Sequence, residues 1–206
     1  NVTVTVADGR FWYSLGNGLG NGLDNNWYLD GNNASVVSSD GNKTTVQMGS
    51  GYRGDLWLAR SGKGKIVNVT PADYRYFAIK VGFKSQLVPG KNKPNGCIKL
   101  EIFDDGIKKI GPEYFGTGGD ANNRYEILGA SEISTTEPNV LYYDLQSKYK
   151  TVTPTDWNQV FDLVQCKFVI ADFPETALTY DLYWIRSFKS IEELQAFVDS
   201  ENNTNE

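Results

Sequence analysis

Whatever chemistry this chain does is done without imidazole. Its 206 residues include no His, two Cys (Cys97 and Cys166) and one Met. That excludes Ser-His-Asp and Cys-His nucleophiles, His-ligated zinc and imidazole acid–base catalysis. Two thiols also fall short of a four-thiolate zinc site. Carboxylates remain, and so do aromatic rings set beside amides and guanidinium groups. Glycoside hydrolysis needs two carboxyl groups, about 5–9.5 Å apart, across the bond to be cut. The acids here do not fall into that pattern. Asp104-Asp105 precedes Gly106 and reads as a turn, and Glu192-Glu193 suits the positive end of a helix. Glu101 and Asp104 have the wrong parity to share a strand face, and no strand carries Glu-x-Asp-x-x-Glu. Gly18-Leu19-Gly20-Asn21-Gly22 has neither the Lys-Ser/Thr nor the following helix of a phosphate loop. The expectation is a non-catalytic protein.

Aromatic placement is the more informative signal. Trp12 and Tyr13, Trp27 and Tyr28, Tyr52, Trp57, Tyr114 and Phe115, and Trp157 lie in or beside Gly/Asn/Asp-rich stretches. A flat ring stacks on the apolar face of a sugar, while Asn, Asp and Arg hydrogen-bond the hydroxyls at its edge. The competing reading is that such rings plug the ends of a β-sandwich, since Trp and Tyr carry large apolar bodies. Gly51-Tyr52-Arg53-Gly54-Asp55-Leu56-Trp57 gathers two rings, a guanidinium and a carboxylate into seven residues. Arg53 and Asp55 share a side if that stretch is extended, as a polar clamp or as a surface ion pair worth little. Asp24-Asn25-Asn26-Trp27 presents an indole beside amides, or is an Asx-rich turn with a core Trp. The candidate ligand-binding set is therefore Trp12, Asn25, Asn26, Trp27, Tyr52, Arg53, Asp55, Trp57, Tyr114 and Trp157. No cofactor is implied, although structural calcium held by Asp, Asn and carbonyl oxygens suits so Asp/Asn-rich a chain.

The elements that must position these residues are strands. Lys and Arg total 20 against 25 Asp and Glu, a net charge of −5 that argues against nucleic acid as a partner. No apolar run approaches the ~20 residues of a membrane helix. Period-two alternation predicts strands at 2–6, 35–38, 44–48, 56–59, 65–69, 74–84, 97–105, 125–128, 140–145, 160–170 and 180–188. Asp40-Gly41 marks a hairpin. Residues 10–34 and 111–124 read as long Gly-rich loops. On 180–188, Leu182, Trp184, Arg186 and Phe188 fall on one face by parity, with Trp184 in the core and Arg186 paired to a carboxylate. Ser190 and Glu193 form a capping box for a short helix with an apolar stripe of Ile191, Leu194, Phe197 and Val198, and 201–206 reads as a frayed tail. The fold expected is all-β, a β-sandwich or jelly roll with a short C-terminal helix, as one domain over 1–206. Cys97 and Cys166 lie in apolar runs, as buried thiols or as one disulfide. Five glycosylation-type sequons (Asn1, Asn33, Asn42, Asn68 and Asn202) carry little weight in so Asn- and Thr-rich a chain.

The C-terminal half, with YRYFAIKVGFK, NVLYYDLQ, CKFVIADF and YDLYWIRSFKSIEELQAF, resembles a known module. It is similar to the C-terminal domain of unknown function of Bacteroidetes surface glycan-binding lipoproteins, and to galactose-binding-like β-sandwich carbohydrate-binding modules. The ending Tyr183 to Ser190, before an acidic short helix, is the most specific piece, and the resemblance covers about residues 74–198. It implies an extracellular, outer-surface domain that captures a plant cell-wall polysaccharide, xylan first, for a neighbouring transporter or glycoside hydrolase. The chain opens in mid-strand pattern without the lipid-anchor cysteine or preceding repeats of that family, as an excised domain would. The alternatives are a carboxylate-only glycan hydrolase or lyase, and a structural adhesin or spacer domain.

Overall fold

The computed structural model describes residues 9–10, 12–19, 28–30, 34–49, 54–60, 63–64, 67–69, 72–85, 98–104, 113–116, 125–146, 161–170 and 177–204. Strands follow in the order β1 (Trp12–Ser14), β2 (Tyr28–Asp30), β3 (Ala34–Ser39), β4 (Thr44–Met48), β5 (Gly54–Arg60), β6 (Lys63–Gly64) and β7 (Val67–Val69). They continue as β8 (Tyr76–Phe83), β9 (Ile98–Asp104), β10 (Glu113–Gly116), β11 (Glu126–Ile127), β12 (Asn139–Asp144), β13 (Phe161–Ile170) and β14 (Leu178–Phe188). One helix, α1 (Ile191–Asn203), closes the chain. The strands form two antiparallel sheets. The first runs β11-β12-β8-β14-β4-β3, with β1 also on β14; the second runs β10-β9-β13-β5-β2, with β6 on β5 and β7 on β13.

The apolar alternation of the strands dictates how the sheets stack. In β8, Phe77, Ile79, Val81 and Phe83 are buried in one cluster with Val46 and Met48 of β4 and Leu178, Tyr180, Leu182 and Ile185 of β14. Phe168 of β13 and Leu29 of β2 reach the same cluster from the second sheet. The core thus lies between the sheets, which makes the fold a β-sandwich. The opposite face of the first sheet carries a smaller cluster of Ala78, Val140, Trp184 and Phe188, roofed by Leu194, Phe197 and Val198 of α1. The all-β sandwich with a short C-terminal helix is the architecture the alternation predicts.

Three local features depart from the sequence reading. β1 and β2 fall inside the 10–34 stretch expected to be loop, and β10 inside 111–124. Their three or four residues are too few to show a period of two. In β14 a register shift between Leu182 and Trp184 breaks strict alternation, so Leu182 joins the inter-sheet core while Trp184 and Phe188 face α1. Leu182 and Trp184 therefore do not share a face. Finally, α1 runs through Asn203 rather than fraying at 201. Glu201 accepts from the Trp184 indole N–H (3.0 Å) and the Lys80 ammonium (3.2 Å), which ties the last helical turn to the sheet. At the other end the Ser190 hydroxyl accepts the Glu193 amide, and the Glu193 carboxylate accepts the Lys189 amide.

Candidate functional site

Cross-strand register assembles a line of residues that the linear sequence scatters. On the second sheet, Tyr28 of β2 is the partner of Trp57 of β5, and Trp57 is the partner of Lys167 of β13. Lys167 pairs with Glu101 of β9, and Glu101 with Tyr114 of β10. The next register row is Leu29, Leu56, Phe168, Leu100 and Phe115. Leu29 and Phe168 mark that row as the one turned to the core. Because successive residues alternate between faces, Tyr28–Trp57–Lys167–Glu101–Tyr114 occupies the face away from the core. One step further comes Asp30, Asp55, Val169, Lys99 and Gly116, on the same outer face by the same parity.

Neighbouring strands lie about 4.8 Å apart, so Trp57 and Tyr114, three strands apart, are separated by about 14 Å. Aromatic residues stand at both ends of the outer row, and a cation and an anion lie between them. Tyr28 and Trp57 are direct register partners on adjacent strands. Asp30 and Asp55 are direct register partners as well.

Of the ten residues singled out in the sequence, Asp55, Trp57 and Tyr114 are brought onto this one face. Asn25, Asn26, Trp27, Tyr52, Arg53 and Trp157 lie outside the described residues, as does Cys97. Tyr28, Asp30, Lys99, Glu101 and Lys167 were missing from the set. Glu101 and Lys167 sit within alternating apolar runs, and no local signal says that they are neighbours. Tyr28 has an aromatic signal of its own, beside Trp27 in the sequence.

Trp12 belongs to a different place. It pairs with Arg186 on the first sheet, on the side covered by α1. Its indole meets Phe188 and Phe197 edge-on, with ring centroids 5.7 and 5.1 Å away. The guanidinium of Arg10 lies 3.8 Å from its ring centre and that of Arg186 4.3 Å. Trp12 keeps 40% of its surface exposed, yet these contacts commit it to holding helix to sheet. Arg186 also lies over Phe197 and donates to the Ser14 hydroxyl at 3.2 Å. Among the described residues, rings stand where a carboxylate partner is expected for it, and its buried Nε has no acceptor. Burial pulls the Arg186 guanidinium below its ordinary value; Glu201 opposes that and Arg10 reinforces it.

A second polar cluster lies on β14 and the β3–β4 hairpin. Asp181, 5% exposed, accepts from the Thr45 hydroxyl at 2.6 Å and the Lys43 ammonium at 3.2 Å. That bond raises the Lys43 pKa. All three groups are engaged in joining hairpin to sheet. Among the described residues no group of three or more His, Cys, Asp or Glu is placed to hold a metal ion. No helix among them is long and apolar enough to cross a membrane.

Two antiparallel sheets with an interior core, a helix on one outer face and a mixed aromatic and charged row on the other define a β-sandwich domain. Within that class the chain belongs to the family described as a domain of unknown function (DUF4979), whose model matches residues 18–194. The matched span contains every strand of the outer row and leaves out Trp12. No curated protein matches the chain.

Proposed function

We propose that this domain binds a neutral plant cell-wall polysaccharide without cleaving it, xylan being the first choice, at the outer cell surface. The observation that carries the reading is the register row Tyr28–Trp57–Lys167–Glu101–Tyr114 across the face of the second sheet remote from the core. Aromatic and charged residue types in one row suit stacking on sugar faces and hydrogen bonding to sugar hydroxyls. Asp30 and Asp55 add acceptors beside the Tyr28–Trp57 pair. Contacts of this kind are shallow and wet, and an affinity near micromolar, about −8 to −6 kcal/mol, is expected. A surface location and service to a neighbouring transporter or glycoside hydrolase follow from the resemblance of residues 74–198.

Affinity electrophoresis through gels containing xylan, β-glucan, mannan or no polysaccharide tests this. Retardation in one gel, lost in Trp57→Ala and Tyr114→Ala, is the expected result. Migration unchanged in every gel sinks the reading. One observation favours a second reading, a carboxylate-only hydrolase or lyase: Asp30 and Asp55 are register partners, and directly opposed residues have Cβ atoms about 4.5–5.5 Å apart. New reducing ends or unsaturated products released from xylan by the wild type, and abolished in Asp30→Asn and Asp55→Asn, would establish it.

A further inference from the structure

Arg186 of β14 is packed as a side chain but not balanced as a charge. Its guanidinium carbon lies 4.3, 4.6 and 5.5 Å from the ring centres of Trp12, Phe197 and Trp184. Ring faces attract that charge but offer no oxygen to its five N–H donors. Nη2 donates to the Ser14 hydroxyl at 3.2 Å, and Nε is buried with no acceptor. Among the described residues no carboxylate lies within ion-pair distance of it. Glu201, the acid whose field reaches it, is already engaged by the Trp184 indole and the Lys80 ammonium. A half-buried cation without a counter-ion is costly, and Arg10 adds to the cost. Its guanidinium lies 3.8 Å from the Trp12 ring centre, so two like charges share one indole and stand at most about 8 Å apart.

The surroundings suit an anion arriving from solvent. Arg10, Trp12 and Ser14 are exposed and Arg186 is half-buried, so both cations are reachable at the margin of the face that α1 covers. In a chain of net charge −5, two guanidinium groups at one ring reverse the local sign. A carboxylate, sulfate or phosphate group accepts two N–H bonds from one guanidinium fork and has oxygen to spare for a second cation. We propose that Arg186 and Arg10, with the Ser14 hydroxyl beside them, form a binding site for a small oxyanion at the junction of β1, β14 and α1. The bound anion supplies the counter-charge that the fold leaves out, and Trp12 is the spacer that sets the separation of the two cations. This site is on the first sheet and is independent of the polysaccharide reading.

Because both guanidinium groups touch Trp12, its indole N–H resonance reports on the site, and Trp12→Phe assigns it by deletion. Sodium sulfate, sodium phosphate and sodium glucuronate would be titrated separately into the whole chain, with total ionic strength held constant by sodium chloride. At least one oxyanion is expected to shift the Trp12 resonance saturably, with a midpoint of about millimolar, while chloride alone does not. Arg186→Gln and Arg10→Gln should each raise that midpoint about tenfold or more. Lys84→Gln should leave it unchanged: Lys84 follows Phe83, the register partner of Tyr180, about 20 Å along β14 from Arg186. Should Arg186→Gln fail to fold, Arg10→Gln, whose side chain is exposed, decides the matter. Saturation by sulfate or phosphate alone assigns the site to a tetrahedral anion, and saturation by glucuronate alone to a carboxylate borne on a sugar; either supports the proposal. No saturable shift with any of the three, an equal shift with chloride, or an unchanged midpoint in Arg10→Gln overturns it. Since no polysaccharide enters the measurement, its failure leaves the functional reading untouched.

Discussion

At the scale of single residues, the same side-chain type serves two different ends. Trp12 has the sequence setting of a stacking platform, yet its edge contacts with Phe188 and Phe197 and its two guanidinium neighbours make it a fastener between β1, β14 and α1. Trp12→Ala should lower the unfolding free energy in urea by about 1–3 kcal/mol and leave polysaccharide retardation unchanged. Loss of binding in a folded Trp12→Ala variant would place the site on the first sheet instead. Tyr143 gives a prediction in pH. It is fully buried in the inter-sheet core, and burial pushes its phenol well above the ordinary value of 10.0, with Tyr125 contributing in the same direction. Its folded pKa exceeds the unfolded one, so the stability it confers is complete below pH 10.0 and is lost as pH rises above it. Half-buried Tyr142 and Tyr183 are shifted in the same direction, chiefly by burial. Thermal unfolding midpoints should fall steeply above about pH 10, and Tyr143→Phe should flatten that fall. A wild-type midpoint independent of pH through that range would contradict this.

At the scale of elements, short-range chemistry was legible and register was not. β4 was read with its observed ends, because Thr44 to Met48 alternates and Asp40-Gly41 announces the turn. The Asp40 carboxylate accepts the Asn42 and Lys43 amides, and Gly41 has φ of +90°, where a side chain is strained. Gly41→Ala should cost about 1–2 kcal/mol, measurable as a shift in urea midpoint. Capping chemistry likewise gave the start of α1. Its end is not legible, because ENNTNE looks like a polar tail, whereas Glu201 is held by Trp184 and Lys80 from strands that the local sequence does not reveal. Glu201→Ala leaves a buried indole N–H without its acceptor and should cost about 1–3 kcal/mol. Glu201→Gln should recover part of that. The bulge in β14 is hidden for a related reason: Leu182-Tyr183-Trp184-Ile185 is an unbroken apolar run that fits either face, and only pairing with β8 shows where the period slips. The candidate site shares this fate. Residues 28, 57, 101, 114 and 167 become a line only when five strands are aligned, and even the nearest two, 101 and 114, lie 13 positions apart in sequence.

At the scale of the whole molecule, the two sheets divide the labour. The first sheet holds most of the described core on one face and is sealed by α1 on the other, so its outer surface is spent on stability. The second sheet contributes Phe168 and Leu29 to that core, and its remote face carries the aromatic and charged row. This asymmetry explains why a β-sandwich is readable from alternation while the candidate face is not: alternation says that a strand has two faces, but only the position of α1 says which outer face the described helix covers. It also yields the most direct test of the account. Wild type, Trp12→Ala and Trp57→Ala, each verified as folded by circular dichroism, would be run side by side through a xylan gel and a polysaccharide-free gel. The account predicts that wild type and Trp12→Ala are retarded equally by xylan and that Trp57→Ala migrates as in the plain gel. Equal retardation of Trp57→Ala and wild type, or no retardation of any of them in xylan, β-glucan or mannan, would contradict it.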